Sequence, residues 1–278
     1  LGSSSTVSGA GAFIVEQSAS VLIDNIPFTP AEVEIGTLAV LTINAPSALA
    51  IPNWRLYGGT LTGNADLVAS NFLDWAGGTI ASTQPSPQLF TIAPGANMII
   101  NSVPVMPVAA RADGRAPAGV VPWRLSQREL QILGSADWID GEITVQQNDY
   151  GRVSVAALGT LTMFDPTGAA FFGCTAVPCT AELDISGTLR QFGPGSSFET
   201  TAPVTVSGSV LVDSGQLLLT DVAQASGLIA IAPGAGLDVA TLTINGGVLT
   251  GDGTLTGSVV NTAGSVEPGS PLGALSII

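Results

Sequence analysis

Short runs in which branched apolar residues alternate with small polar ones recur from one end of the chain to the other. They read Phe13 to Gln17, Ser20 to Ile26, Thr37 to Asn44, Gly151 to Phe164, Glu182 to Phe192, Val204 to Asp221 and Leu237 to Gly251. Period-two alternation of Val, Ile, Leu and Thr predicts β-strands with one side buried and the other in solvent. Gly, Asn, Asp, Pro and Ser lie between the runs and predict turns. The stretch from Gly246 to Leu275, GGVLTGDGTLTGSVVNTAGSVEPGSPLGAL, shows the pattern at its most regular.

Repeats say how the strands are organised. Ile92-Ala93-Pro94-Gly95-Ala96 recurs without change as Ile231 to Ala235. A tryptophan followed by a glycine turn occurs at Trp54 (WRLYGGTL), Trp75 (WAGGTI) and Trp138 (WIDGEI). Trp54 and Trp75 are 21 residues apart, and Trp75 and Trp138 are 63 apart, three times that spacing. The spacing predicts rungs of about 21 residues with two or three short strands each, and it gives the three tryptophans one repeat position. A single rung cannot bury its apolar face alone, whereas stacked parallel rungs share one continuous core. The expected fold is therefore an all-β parallel solenoid over residues 1–278, a single segment of a larger protein. A β-sandwich of short strands is the competing arrangement.

Two segments interrupt the pattern and are expected as insertions, at about 103–136 and 165–181. The first is Pro/Ala-rich at its start, and Pro122 to Leu133 predicts a short helix with Pro122 in its first turn and Leu125, Leu130, Ile132 and Leu133 on one face. Arg111, Arg115, Arg124 and Arg128 lie in this stretch, four of the seven basic residues. With Trp138 they form a candidate interaction surface, for a neighbouring domain or an acidic glycan; an insertion folded against the side of the solenoid is the plainer reading. The second segment holds the two cysteines. Cys174 and Cys179 sit five residues apart across a Pro-containing turn and are expected to form a disulfide, which would point to an oxidising compartment.

Composition narrows the function classes. The chain has 7 basic and 21 acidic residues, a formal charge of −14, no His, and only 10% charged residues against 46% hydrophobic. All seven basic residues are Arg. An acidic chain without Lys argues against a nucleic-acid partner and against an anionic membrane surface. Its apolar runs are too short for a membrane helix, so no direct membrane insertion is expected of this segment. Without His there is no Ser-His-Asp or Cys-His arrangement, and no GxxxxGK phosphate loop is present. No catalytic residue, metal or cofactor is expected. Asp113, Asp137, Asp140 and Glu142 could supply a glycosidase-like carboxylate pair, but scattered Asp in turns is the simpler explanation. No calcium loop of the D-x-D-x-D-G type occurs.

The residues Gly247 to Gly251, Gly253 to Gly257, Val260-Asn261, Gly264 to Val266 and Pro268 to Pro271 resemble a run found in β-solenoid regions of large bacterial surface proteins. These are autotransporter passengers and filamentous-haemagglutinin-like adhesins. The WAGGTIAS stretch at Trp75 is similar to their tryptophan-glycine units. The resemblance is strong from Pro203 to Leu275, loose from Leu1 to Asn101 and absent from Val103 to Ala136; the family's usual corner is altered to Gly269-Ser270-Pro271-Leu272. It implies a right-handed parallel β-helix, exported and extracellular or cell-surface, acting without catalysis as a stalk, spacer or adhesive surface. Its implied partners are a host or neighbouring cell surface, a glycan, or other copies of the same or a related surface protein. A polysaccharide-binding or polysaccharide-cleaving β-helix and a filament or fibre subunit are the alternatives.

Overall fold

Along most strands alternate side chains point inward, and the inward set is mainly apolar. Gly236–Ile244 buries Leu237, Val239, Leu242 and Ile244 while Asp238, Ala240 and Thr243 face out. One rung of this kind exposes both backbone edges, so it is stable only between two others. The structure, a computed structural model, describes residues 6–101, 122–164, 169–269 and 274–278. Among these residues there is no helix, and every strand pairing is parallel, each strand of the inner turns lying between those one turn before and one turn after it. The chain coils through about 12 turns of a β-solenoid.

Three sheets run along the coil. Face A carries Gln88–Ile92, Arg128–Ile132, Tyr150–Val155 and Thr180–Ile185 in register. Face B carries Asn97–Ile100, Ser135–Trp138, Thr160–Met163, Thr188–Gln191 and Ser209–Val212. Face C carries Gly78–Ala81, Trp123–Ser126, Glu142–Val145, Ala169–Cys174 and Ser197–Thr200. The corners change along the coil. In the first four turns one strand runs through the A/B corner, as in Leu49–Leu56 and Leu67–Trp75. In the last three turns the unbroken corner is C/A, in Gln216–Gln224, Gly236–Ile244 and Thr254–Asn261.

The repeated pentapeptide is a corner unit that is independent of which corner it turns. Ile92 to Ala96 joins face A to face B, whereas Ile231 to Ala235 joins face B to face C. In both, the final alanine N–H donates to the carbonyl three residues back, at 2.9 Å (Ala96 to Ala93) and 3.0 Å (Ala235 to Ala232). Proline sets the second position, and Gly95 (φ 80°) and Gly234 (φ 77°) take the third, as a type II turn requires. A second corner unit is Leu-Thr-Gly. Gly63, Gly251 and Gly257 all have φ between 125° and 135°, and a Cβ at any of them would collide with the carbonyl oxygen of the rung beneath, of Ile43, Ile231 or Val239.

The three repeat tryptophans are inside, in two different columns. Trp75 stacks over Leu56 and under Ile100, which is followed by Trp138, while Trp54 lies one inward position away, beside Leu73. Leu56 and Trp75 are stacked, so that turn is 19 residues long, and the 21-residue step from Trp54 to Trp75 joins two columns. Trp54 packs edge-on to Phe90 at 5.6 Å and Trp138 to Phe198 at 5.4 Å.

The helix expected over Pro122 to Leu133 is absent. Trp123–Ser126 and Arg128–Ile132 are strands of faces C and A, and Ser135–Trp138 follows on face B. Leu125, Leu130 and Ile132 do point inward, but with strand alternation: Leu130 and Ile132 are two apart and flank the outward Gln131. Of the insertion expected over 103–136, the residues from Trp123 onward therefore belong to the coil itself. Likewise Ala169–Cys174 and Thr180–Ile185 are regular strands, and the described part of the second interruption is the loop between them.

Candidate functional site

Each candidate surface residue has a distinct fate. Arg111 and Arg115 lie outside the described residues. Arg124 faces out from face C, half-buried between Thr79 and Thr144. Trp138 is buried, and its indole N–H donates to the Gly141 carbonyl at 3.1 Å. Arg128 is fully buried at the C/A corner, where the inward position of the following turns is occupied by small residues, Gly151 and Ala181. Its Nε donates to the Ala81 carbonyl at 2.8 Å, and its Nη1 to those of Ala65 and Leu89 at 2.9 and 3.0 Å. Burial pulls the guanidinium down to about 10, with Asp66 opposing. Trp138 and Arg128 therefore belong to the core and cannot meet a partner at the surface. Strand alternation decides this: both sit at inward positions.

Polar side chains on the outside link successive rungs. On face A, Arg152 stands between Glu129 and Glu182 of the adjacent turns and pairs with Asp184. Its contacts with Glu129 and Glu182 are 3.6 and 3.9 Å, and the Ser154 hydroxyl donates to Glu129 at 2.6 Å. Burial works against the Arg152 charge, but the Asp184 bond and the neighbouring acids outweigh it and raise its pKa. Near the B/C corner, the Tyr57 hydroxyl donates to the buried Asp74 at 3.4 Å and accepts from Arg55 at the same distance; Arg55 pairs with Glu32 at 3.2 Å. Burial pushes Tyr57 up to about 12. At the C/A corner Asp24, Asn44 and Asn64 form a ladder, with Asn44 donating to Asp24 at 3.4 Å and accepting from the Asn64 N–H at 3.3 Å. Such side chains are missed by motif search because their partners are about 20 residues away in sequence but adjacent in space.

Cys174 and Cys179 are joined, with Cα atoms 6.0 Å apart, and close the loop that carries the chain from face C to face A. The loop leans on the turn below it, where Gln147 donates to the Val177 carbonyl at 2.8 Å. Of the weighed carboxylates, Asp113 is outside the described residues, and Asp137, Asp140 and Glu142 are half-buried or exposed near the end of one face B strand and the start of the next face C strand. Among the described residues no three His, Cys, Asp or Glu side chains converge to hold a metal ion. One shallow cleft of about 310 Å³ lies where the last long strands bend from face C into face A. Glu199, Leu218, Asp238 and Thr256, one outward column, line it together with Thr220 and Ala240.

These features define a parallel β-solenoid whose interior is filled with side chains and whose polar groups serve mainly to stitch rung to rung. Compared with protein-family models, with curated proteins and with solved structures, the chain matches none.

Proposed function

We propose that the chain is a non-enzymatic, rod-like segment of an exported surface protein, serving as a stalk or adhesive spacer. The observation that carries this reading is the unbroken stack of about 12 turns. At ~4.8 Å per parallel rung that is a rod of about 58 Å, closed inside and repetitive outside. The polar clusters at Arg152 and Tyr57 are spent on neighbouring rungs, which suits a part whose task is length and stiffness. The Cys174–Cys179 bond is compatible with an oxidising compartment, and no helix among the described residues is long and apolar enough to cross a membrane. The resemblance of the Gly247 to Pro271 run to bacterial surface solenoids supports the same reading.

The cleft over Leu218 favours a second reading, glycan binding, because Glu199, Asp238 and Thr256 present hydroxyl-bonding groups along the axis of the rod. One experiment separates the two and tests both. The protein is incubated with a panel of neutral and acidic polysaccharides, and retention, reducing ends and unsaturated products are followed. A rod is expected to give none of these. Retention without turnover, lost in Asp238→Asn, would establish glycan binding; turnover lost in Glu199→Gln or Asp238→Asn would overturn the non-enzymatic reading.

A further inference from the structure

The chain's single Asn-Gly pair, Asn245-Gly246, turns the A/B corner between Gly236–Ile244 and Val248–Gly251. At the equivalent corners of other turns the second N–H is tied to the turn beneath. Gly187 donates to Val155 and Gly208 to Ile185, both at 2.9 Å, Ala263 to Ile244 at 3.3 Å and Ser226 to Val206 at 3.5 Å. The Gly246 N–H occupies the same place and has no acceptor among the described residues. Its neighbours are anchored: Asn245 donates its main-chain N–H to Gln224 at 2.8 Å, and Val248 to Gly227 at 2.9 Å. The Asn245 side chain is exposed, and its Oδ1 lies 2.9 Å from the Thr262 hydroxyl, which shares its proton with the Ile244 carbonyl at 3.0 Å.

These placements set a nucleophile beside an electrophile. An asparagine side-chain carbonyl carbon can be attacked by the main-chain nitrogen of the next residue, and glycine presents that nitrogen with no Cβ to crowd it. Here the Gly246 nitrogen is not held by an acceptor, and the hydrogen bond to Oδ1 draws electrons away from Cγ. We infer that Asn245 is a self-modification site, at which the folded chain deamidates. The Gly246 nitrogen bonds to Asn245 Cγ, the Cγ–Nδ2 bond breaks, and ammonia leaves with the proton from Gly246, closing a five-membered succinimide. Water adds to one of the two ring carbonyls and opens the ring to aspartate or isoaspartate. The product adds one negative charge to a chain already at −14. Isoaspartate also lengthens the main chain by one methylene, at a corner stacked between Ala225–Gly227 and Thr262–Gly264. Other sites lack the free nitrogen. After Asn261 the N–H belongs to the β-branched Thr262 and donates to Ile244 at 2.9 Å, and after Asp252 the Gly253 N–H donates to Ile231 at 3.1 Å. This goes beyond the rod reading and does not depend on it.

The test is prolonged incubation of the whole folded chain in heavy-oxygen water at neutral and mildly alkaline pH, followed by peptide mapping with mass spectrometry. Heavy oxygen enters only where the reaction occurs during incubation. Label is expected at Asn245, divided between aspartate and isoaspartate, at least about tenfold faster than at Asn261. Asn245→Gln is expected to remove it. Thr262→Val is expected to slow the reaction about threefold in the folded chain and to leave the rate in the urea-unfolded chain unchanged. Strand circular dichroism checks that both variants fold. Labelling of Asn245 no faster than Asn261 in the folded chain, or only after unfolding in urea, would overturn the inference. Equal folded-state rates in wild type and Thr262→Val would overturn the part given to Thr262. Failure of the rod reading would show instead as polysaccharide turnover, which leaves this result untouched.

Discussion

Arg128 reaches across the C/A corner to the carbonyl oxygen of Ala65, 63 residues earlier in the chain, at 2.9 Å. One side chain thus satisfies backbone from two preceding turns, at Ala65 and at Ala81 and Leu89. Removing it leaves buried carbonyls without donors, which costs about 1–3 kcal/mol for each group left unsatisfied. Arg128→Ala is expected to lower unfolding free energy by about 3 kcal/mol or more, measured by urea denaturation, and Arg128→Met by less because the stem still fills the space. The pH dependence has a definite sign. The folded guanidinium is pulled down to about 10, well below its ordinary value, so above pH 10 the unfolded chain keeps a proton that the folded one releases. This group therefore favours the folded state increasingly as pH rises above about 10, and Arg128→Met should abolish that contribution.

Tyr57 acts in the opposite direction over nearly the same range. Its folded pKa is raised to about 12 from 10 by burial, with Arg55 opposing through a hydrogen bond. The stability it contributes is complete below pH 10 and is lost as pH climbs through about 12. The chain has only two tyrosines, and burial also raises Tyr150. Absorbance titration of Tyr150→Phe should therefore show a single late ionisation in the folded protein and a shift to the ordinary value on unfolding. A folded-state midpoint at 10 would refute the buried setting of Tyr57.

The four tryptophans are all buried but differ in one respect. Trp123 donates its N–H to the Trp75 carbonyl at 2.8 Å, Trp138 to Gly141 at 3.1 Å and Trp54 to Val68 at 3.3 Å, whereas the Trp75 N–H has no acceptor among the described residues. Substitution by Phe removes similar volume at each site, so the hydrogen bond sets the difference. Trp123→Phe is expected to destabilise by about 1 kcal/mol more than Trp75→Phe, read from paired thermal and urea melts.

Glycines at the two corner units should respond differently to alanine. At Gly95 and Gly234 a Cβ meets open space, so the cost is that of positive φ alone, about 1 kcal/mol. At Gly63 and Gly251 the Cβ would collide with a stacked carbonyl, and the rung must move. Gly251→Ala and Gly63→Ala are expected to cost at least about 3 kcal/mol and to broaden the unfolding transition. Equal costs across the four sites would contradict the stacking of Leu-Thr-Gly on the rung beneath.

The alternation of Val, Ile, Leu and Thr, the IAPGA turns and the Leu-Thr-Gly corners by themselves determined a stacked parallel coil, because each is a local rule of strand or turn geometry. The Cys174–Cys179 pairing was equally local. Register was not. Equal spacing put Trp54 and Trp75 at one position, but turns of unequal length set them in neighbouring columns. The same limit made Pro122 to Leu133 read as a helix: its apolar residues satisfy either period over so short a run, and only pairing with Gly78–Ala81 and Gln88–Ile92 selected strands. Whether an arginine faces water or fills a corner was likewise decided in three dimensions. Arg128 is one alternation step from the surface, and the carbonyls that accept its hydrogen bonds come from turns that sequence order keeps far apart.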